Sequence, residues 1–243
     1  MTRPSKQDSG FTLVELVISL GVFSLLMAMV TVLTIQGLKT VRIAGEESQI
    51  QASQQIALQQ ISRQLRYIDS PQRQSLSDGL LCAHDTAATF FTFSGSAQFD
   101  RVPYLVNIRQ APSAANESWV NIEMSVWSPT SPDPFTVDPG SSSVIDGFDP
   151  TNCVPLVTEN NDAYSSAHTT RPLIFGTHES SPSLIFNYET WTEDGTWETI
   201  VGQGDGVPLS DAELAEVRSV TATITDSRSL LSVHQNVVLE NLT

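Results

Sequence analysis

Few side chains in this chain combine the types and spacings that chemistry requires. The most informative is Glu15, the single ionisable residue in the run from Phe11 to Ile35, FTLVELVISLGVFSLLMAMVTVLTI. An ionised carboxylate near the start of so apolar a segment costs several kcal/mol to bury alone, so it is normally paired with a cation. A nearby terminal amine is the natural partner. The alternative is a carboxylate solvated at a headgroup boundary.

Elsewhere the catalytic and metal-binding vocabulary does not assemble. Cys82-Ala-His84-Asp85 sets plausible ligands close together. A structural zinc site needs four ligands, however, and no second cluster offers them at standard spacing. His168, His178 and His234 are isolated, and the sequence contains no HExxH, no GxSxG and no P-loop. Neither a catalytic residue, a metal nor a cofactor is therefore assigned, and the chain reads as a non-enzyme. Asp146, Asp149, Glu193, Asp194, Asp205 and Asp211 lie in oxygen-rich stretches that suit calcium, without the twelve-residue EF-hand pattern. Solvated acidic loops are the simpler reading. Residues 69–243 carry six basic against 23 acidic side chains within a total charge of −15. Such a body repels nucleic acid, so no direct nucleic-acid contact is expected.

The element that must position Glu15 is a helix. The Phe11 to Ile35 run is long enough to cross a lipid bilayer. Before it lie ten residues carrying Arg3, Lys6 and Asp8, and no small-x-small cleavage site follows it. The positive leader stops at Ser9-Gly10, so any processing cut is expected ahead of the apolar stretch. No proline occurs between Pro4 and Pro71, which predicts a helix from Phe11 to about Tyr67, roughly 85 Å long. Its character changes at Gln36. Beyond Lys39 the apolar residues thin to Ile43, Ile50, Ala57, Ile61, Leu65 and Ile68, a single stripe on a polar helix. Residues 11–35 read as a transmembrane half and 36–68 as an amphipathic half lying on its own domain. A two-stranded coiled coil is the structural competitor.

The Asp69-Ser70-Pro71 step ends this helix, because the residue before proline avoids helical backbone. The body beyond it, residues 69–243, reads as an antiparallel sheet. Candidate strands are Thr89 to Ser94, Val102 to Gln110, Trp119 to Ser128, Leu173 to Thr177, Leu184 to Trp191, Thr196 to Val201, Val220 to Thr225 and Leu230 to Leu239. Asp194-Gly195 predicts a hairpin turn, and Ser210-Asp-Ala-Glu213 predicts a capped short helix. About 129–167 reads as a loop insertion rich in Ser, Pro, Asp and Thr. Cys153 lies within that insertion. With an export signal upstream, a Cys82–Cys153 disulfide is expected, stabilising by roughly 4 kcal/mol on the chain-entropy model. Two unpaired thiols buried as small hydrophobes are the alternative.

The string Gly10-Phe11-Thr12-Leu13-Val14-Glu15-Leu16 resembles the processing site of type IV pilins and type II secretion pseudopilins. The resemblance is specific over residues 5 to 35 and nearly silent over the body. It implies cleavage after Gly10 by a prepilin peptidase, methylation of the new amine on Phe11, and pairing of Glu15 with a neighbouring subunit's terminal amine. The implied fold is α+β and pilin-like, with a long N-terminal helix packed on an antiparallel β-sheet domain. The size and acidic body are most like a larger minor pilin or a J-type minor pseudopilin. The implied partners are the peptidase, other pilin or pseudopilin subunits, an inner-membrane assembly platform and the bilayer. The implied location is the cytoplasmic membrane, single-pass with the body outside, and then a pilus-like filament. The rival from another class is a binding domain or enzyme on an uncleaved signal anchor.

Overall fold

A computed structural model describes residues 12–68, 79–92, 104–114, 116–129, 148–149, 151–157, 164–177, 181–201, 208–227 and 232–239. Helix α1 spans Leu13–Arg66, 54 residues, within two residues of the expected limits at each end. Arg63 and Arg66 sit in its last turn, where the helix dipole is negative. The turn tightens as it ends, with Tyr67 N–H donating to Gln64 C=O (3.2 Å) and Ile68 N–H to Leu65 C=O (3.1 Å).

The chain divides into two compact units, residues 1–49 and 50–243. In the first, every described side chain is exposed, from Thr12 to Gln49. Ile43, placed by the sequence on the packing stripe, is 54 % exposed.

In the second unit α1 buries Gln54, Ala57, Leu58, Ile61, Ser62 and Leu65, a stripe with three- and four-residue spacing. The expected Ala57, Ile61, Leu65 and Ile68 are on it. The strands form antiparallel pairings as expected, in two sheets that the sequence reading did not separate. The five-stranded sheet is a meander of β1 (Leu80–His84), β2 (Ala87–Thr92), β3 (Tyr104–Ser113), β4 (Asn116–Pro129) and β5 (Tyr164–Ile174). The four-stranded sheet has the order β7-β6-β8-β9, from β6 (Pro182–Trp191), β7 (Trp197–Val201), β8 (Ser219–Asp226) and β9 (Val233–Val238). Helix α2 (Asp211–Glu216) precedes β8, and Ser210 and Glu213 close a reciprocal capping box at its start. The Glu213 carboxyl is held below its usual range by the Ser210 N–H and hydroxyl that donate to it.

One core joins the α1 stripe to the inner faces of both sheets: Phe90, Val106, Ile108, Ile122 and Met124 from the first, Leu184, Phe186, Tyr188, Val220 and Ile224 from the second. Strand alternation produces those faces. Leu184, Phe186 and Tyr188 point in, while Ser183, Ile185 and Asn187 do not. Polar bonds stitch the seam between sheets. Phe186 N–H donates to Asp85 C=O (2.6 Å), Leu184 N–H to Gln110 Oε1 (3.1 Å), and the Tyr188 hydroxyl to the carbonyls of His84 (3.1 Å) and Ala87 (3.3 Å). Burial pushes the Tyr188 hydroxyl well above the usual tyrosine range.

The sequence reading missed β1 and most of β5. Strand β1, LLCAH, lacks β-branched residues. Strand β5 begins at Tyr164, inside the stretch read as a loop, and its exposed Ser-Ala-His-Thr-Thr run from Ser166 has no apolar alternation because it is a sheet edge.

Candidate functional site

Two constellations stand out: the first turn of α1 and the disulfide-bound segment over the first sheet. At the helix start, Thr12 is the cap. Its carbonyl accepts from the N–H groups of Glu15 (3.0 Å) and Leu16 (3.2 Å), and its hydroxyl from Glu15 N–H (3.4 Å). A helix entering lipid must satisfy its leading N–H groups internally, and Thr12 does part of this. The sequence reading overlooked Thr12, although the Thr-x-x-Glu spacing of a capping box was its signal. Glu15 therefore lies in the first turn, at the positive end of the helix dipole. Its side chain is exposed, and among the described residues no group pairs with its carboxylate. Gly10 and Phe11 lie outside the described residues.

The hydroxyls that interrupt the apolar run are satisfied within the helix. Ser19, Ser24, Thr31 and Thr34 each donate to the carbonyl four residues back, at 2.7–2.8 Å. That leaves Glu15 as the one ionisable side chain from Thr12 to Leu38. The helix is long and apolar enough to cross a membrane. An exposed apolar surface of this extent requires lipid or other apolar helices around it.

In the body, the structure joins Cys82 of β1 to Cys153, with Cα atoms 5.6 Å apart. The short strap around Cys153 is built by its own polar groups. Asp149 C=O accepts from Cys153 N–H (2.8 Å), and Asp149 Oδ1 accepts from Thr151 N–H (2.9 Å) and hydroxyl (2.6 Å). Those Thr151 donors hold the Asp149 carboxyl below its usual range. Cys153 takes a left-handed φ of 53°. Its carbonyl accepts from the Thr89 hydroxyl (2.5 Å) and from Asn107 Nδ2 (3.1 Å), so β2 and β3 both grip the strap. Underneath, Phe91, Leu105, Trp127 and Tyr164 form a second apolar cluster with Phe148, Val154 and Val157 of the strap. The described residues of the strap thus pack on the outer face of the first sheet, while the buried stripe of α1 packs on the inner one.

The disulfide removes Cys82 from any ligand set. His84 Nδ1 meets the Asp85 carboxylate and accepts from Thr86 N–H (3.2 Å), and His168 stacks on Trp127 with ring centroids 4.6 Å apart. His234 lies apart from these on β9. Among the described residues no three His, Cys, Asp or Glu side chains form a group that could hold a metal ion. Glu193 and Asp194 sit at the β6–β7 turn and Asp149 serves its own turn. His178, Asp146 and Asp205 lie outside the described residues.

A family model described as the prokaryotic N-terminal methylation motif matches residues 5–31 of the chain. No curated protein and no solved structure matches it. The motif supports a type IV prepilin-like protein. It implies processing by a prepilin peptidase and assembly with other pilin subunits, and with the apolar helix it fits a membrane-anchored subunit.

Proposed function

We propose that this chain is a minor structural subunit of a type IV pilus-like filament and has no enzymatic role. Residues 1–10 are its leader, removed after Gly10. The apolar part of α1 holds the mature chain in the cytoplasmic membrane as a single pass, with the β-rich body outside. The amine of Phe11 is methylated, and Glu15 pairs with the N-terminal amine of a neighbouring subunit as the helices pack.

The observation that carries this reading is a carboxylate without a partner among the described residues, in the capped first turn of α1, where the apolar part of the helix is exposed throughout and matches the methylation motif. Lipid and like helices are equally apolar, so helix packing gains little from hydrophobic transfer. A charge pair at Glu15 supplies the register that apolar contacts do not. The size and acidity of the body favour a minor subunit over a major one, and a pseudopilin of a type II secretion machine shares every one of these features.

The test is peptide mass spectrometry of the mature N-terminus from cells with and without the prepilin peptidase. The reading expects a methylated Phe11 terminus only when the peptidase is present. A terminus at Met1, or one well inside the apolar run, would return the chain to the signal-anchored class.

A further inference from the structure

The far end of the second sheet carries two tryptophans on its outer surface. Trp191 ends β6 and Trp197 begins β7, directly opposite each other across the ladder. Their rings meet edge to face, with centroids 5.0 Å apart and planes at 74°. They remain 53 % and 45 % exposed. The hairpin does not depend on the pair for closure. Thr192 N–H and hydroxyl both donate to Thr196 C=O (3.0 and 2.9 Å), Thr196 N–H donates to the Thr192 hydroxyl (3.2 Å), and Gly195, at φ 77°, donates its N–H to Thr192 C=O (3.0 Å). The turn is locked by polar bonds, and the indoles are left on a rigid mount.

The charge around them has one sign. Residues 182–201 contain Glu189, Glu193, Asp194 and Glu198 and no basic side chain. Among the described residues none of the four forms an ion pair. Arg218, whose N–H bonds the Glu189 carbonyl, directs its guanidinium to the carbonyls of Ala215 and Val217. Among the described residues the Glu189 carboxylate accepts a long bond from Asn236 Nδ2 (3.4 Å).

We propose that this hairpin tip is a docking surface for an arginine-bearing segment of a partner protein. Aromatic faces attract cations through the ring quadrupole, and a guanidinium adds planar stacking that an ammonium lacks. The surrounding carboxylates complement its charge and accept its N–H groups. An acidic body attracts any cation at long range, so preference for arginine over lysine is the signature of the indoles. The inference stands apart from the filament reading, and neither depends on the other.

The experiment is calorimetric titration of the full chain, in micelles of an uncharged detergent, with oligoarginine and oligolysine of equal length. Oligoarginine should bind about ten-fold tighter. Trp197→Leu should bring the ratio close to one, and Glu189→Gln with Glu193→Gln should weaken both peptides while leaving the indoles in place. The charge variant keeps the test valid if Trp197→Leu disturbs the hairpin. The proposal is overturned by an arginine-to-lysine ratio near one in the native chain, by full binding in the charge variant, or by absence of binding. Saturation of the same tryptophans by a neutral oligosaccharide would overturn it in favour of a glycan.

Discussion

Leu26 and Leu58 are the same residue on the same helix, yet Leu26 is 55 % exposed and Leu58 is buried at 2 %. The first belongs to a unit with no core of its own, the second to a core that gathers α1 and both sheets. Burial within the chain accounts for stability in the second unit. In the first it accounts for nothing, and the surface makes sense only against lipid or other helices. The two glycines Gly21 and Gly176 repeat the contrast. A Cβ on Gly21 would meet nothing within 4 Å, whereas one on Gly176 would lie 2.1 Å from Val120 C=O. The lesson is that one continuous helix answers to two different solvents.

That contrast can be broken or sharpened by substitution. Removing the disulfide with Cys82→Ser and Cys153→Ser should cost the body about 4 kcal/mol, because a loop of sequence separation 71 is released in the unfolded chain. Scanning calorimetry should register a lower melting temperature for the body and no loss of membrane insertion. Next, Ile61→Ala should cost roughly 3 kcal/mol in denaturant unfolding of the body, since Ile61 is fully buried. Leu26→Ala should leave that transition within about 0.5 kcal/mol of native. Equal effects from the two would erase the distinction between the units. Gly176→Ala should cost about 2 kcal/mol by forcing the chain after β5 away from β4, while Gly21→Ala leaves the body unchanged.

Alkali should act on the body alone. Burial raises the hydroxyls of Tyr164 and Tyr188 above the ordinary tyrosine range, so folding favours their neutral forms. Their contribution is complete below the unfolded tyrosine pKa of about 10 and is lost as pH rises from there toward the folded values. Each ionisation withheld costs about 1.4 kcal/mol per pH unit. Unfolding monitored by circular dichroism should show constant stability from neutrality to about pH 10 and a steepening loss beyond it.

The sequence made α1 legible because its signals are local: an apolar run, then a stripe, then Pro71 just past the end. It made β6 and β7 legible through Asp194-Gly195, and Gly195 takes the positive φ that turn requires. It did not reveal that Gln54 and Leu58 complete the buried stripe, because Ile56, more apolar than Gln54, turns outward at 56 % exposure. Only the geometry of the sheets decides which of them faces in. Nor did it divide the strands between two sheets, since that division rests on long-range ladders such as β6 with β8, where Leu184 lies opposite Ile224. At the candidate site, Glu15 announced itself as a lone charge, while Thr12 passed as one more hydroxyl in an apolar run.

The most direct test is incorporation of Glu15→Leu into filaments in the native host, scored against membrane insertion of the same variant. The account predicts normal insertion and a severe loss from sheared filaments. Undiminished incorporation would contradict the role of Glu15 as the carboxylate that pairs one subunit with the next.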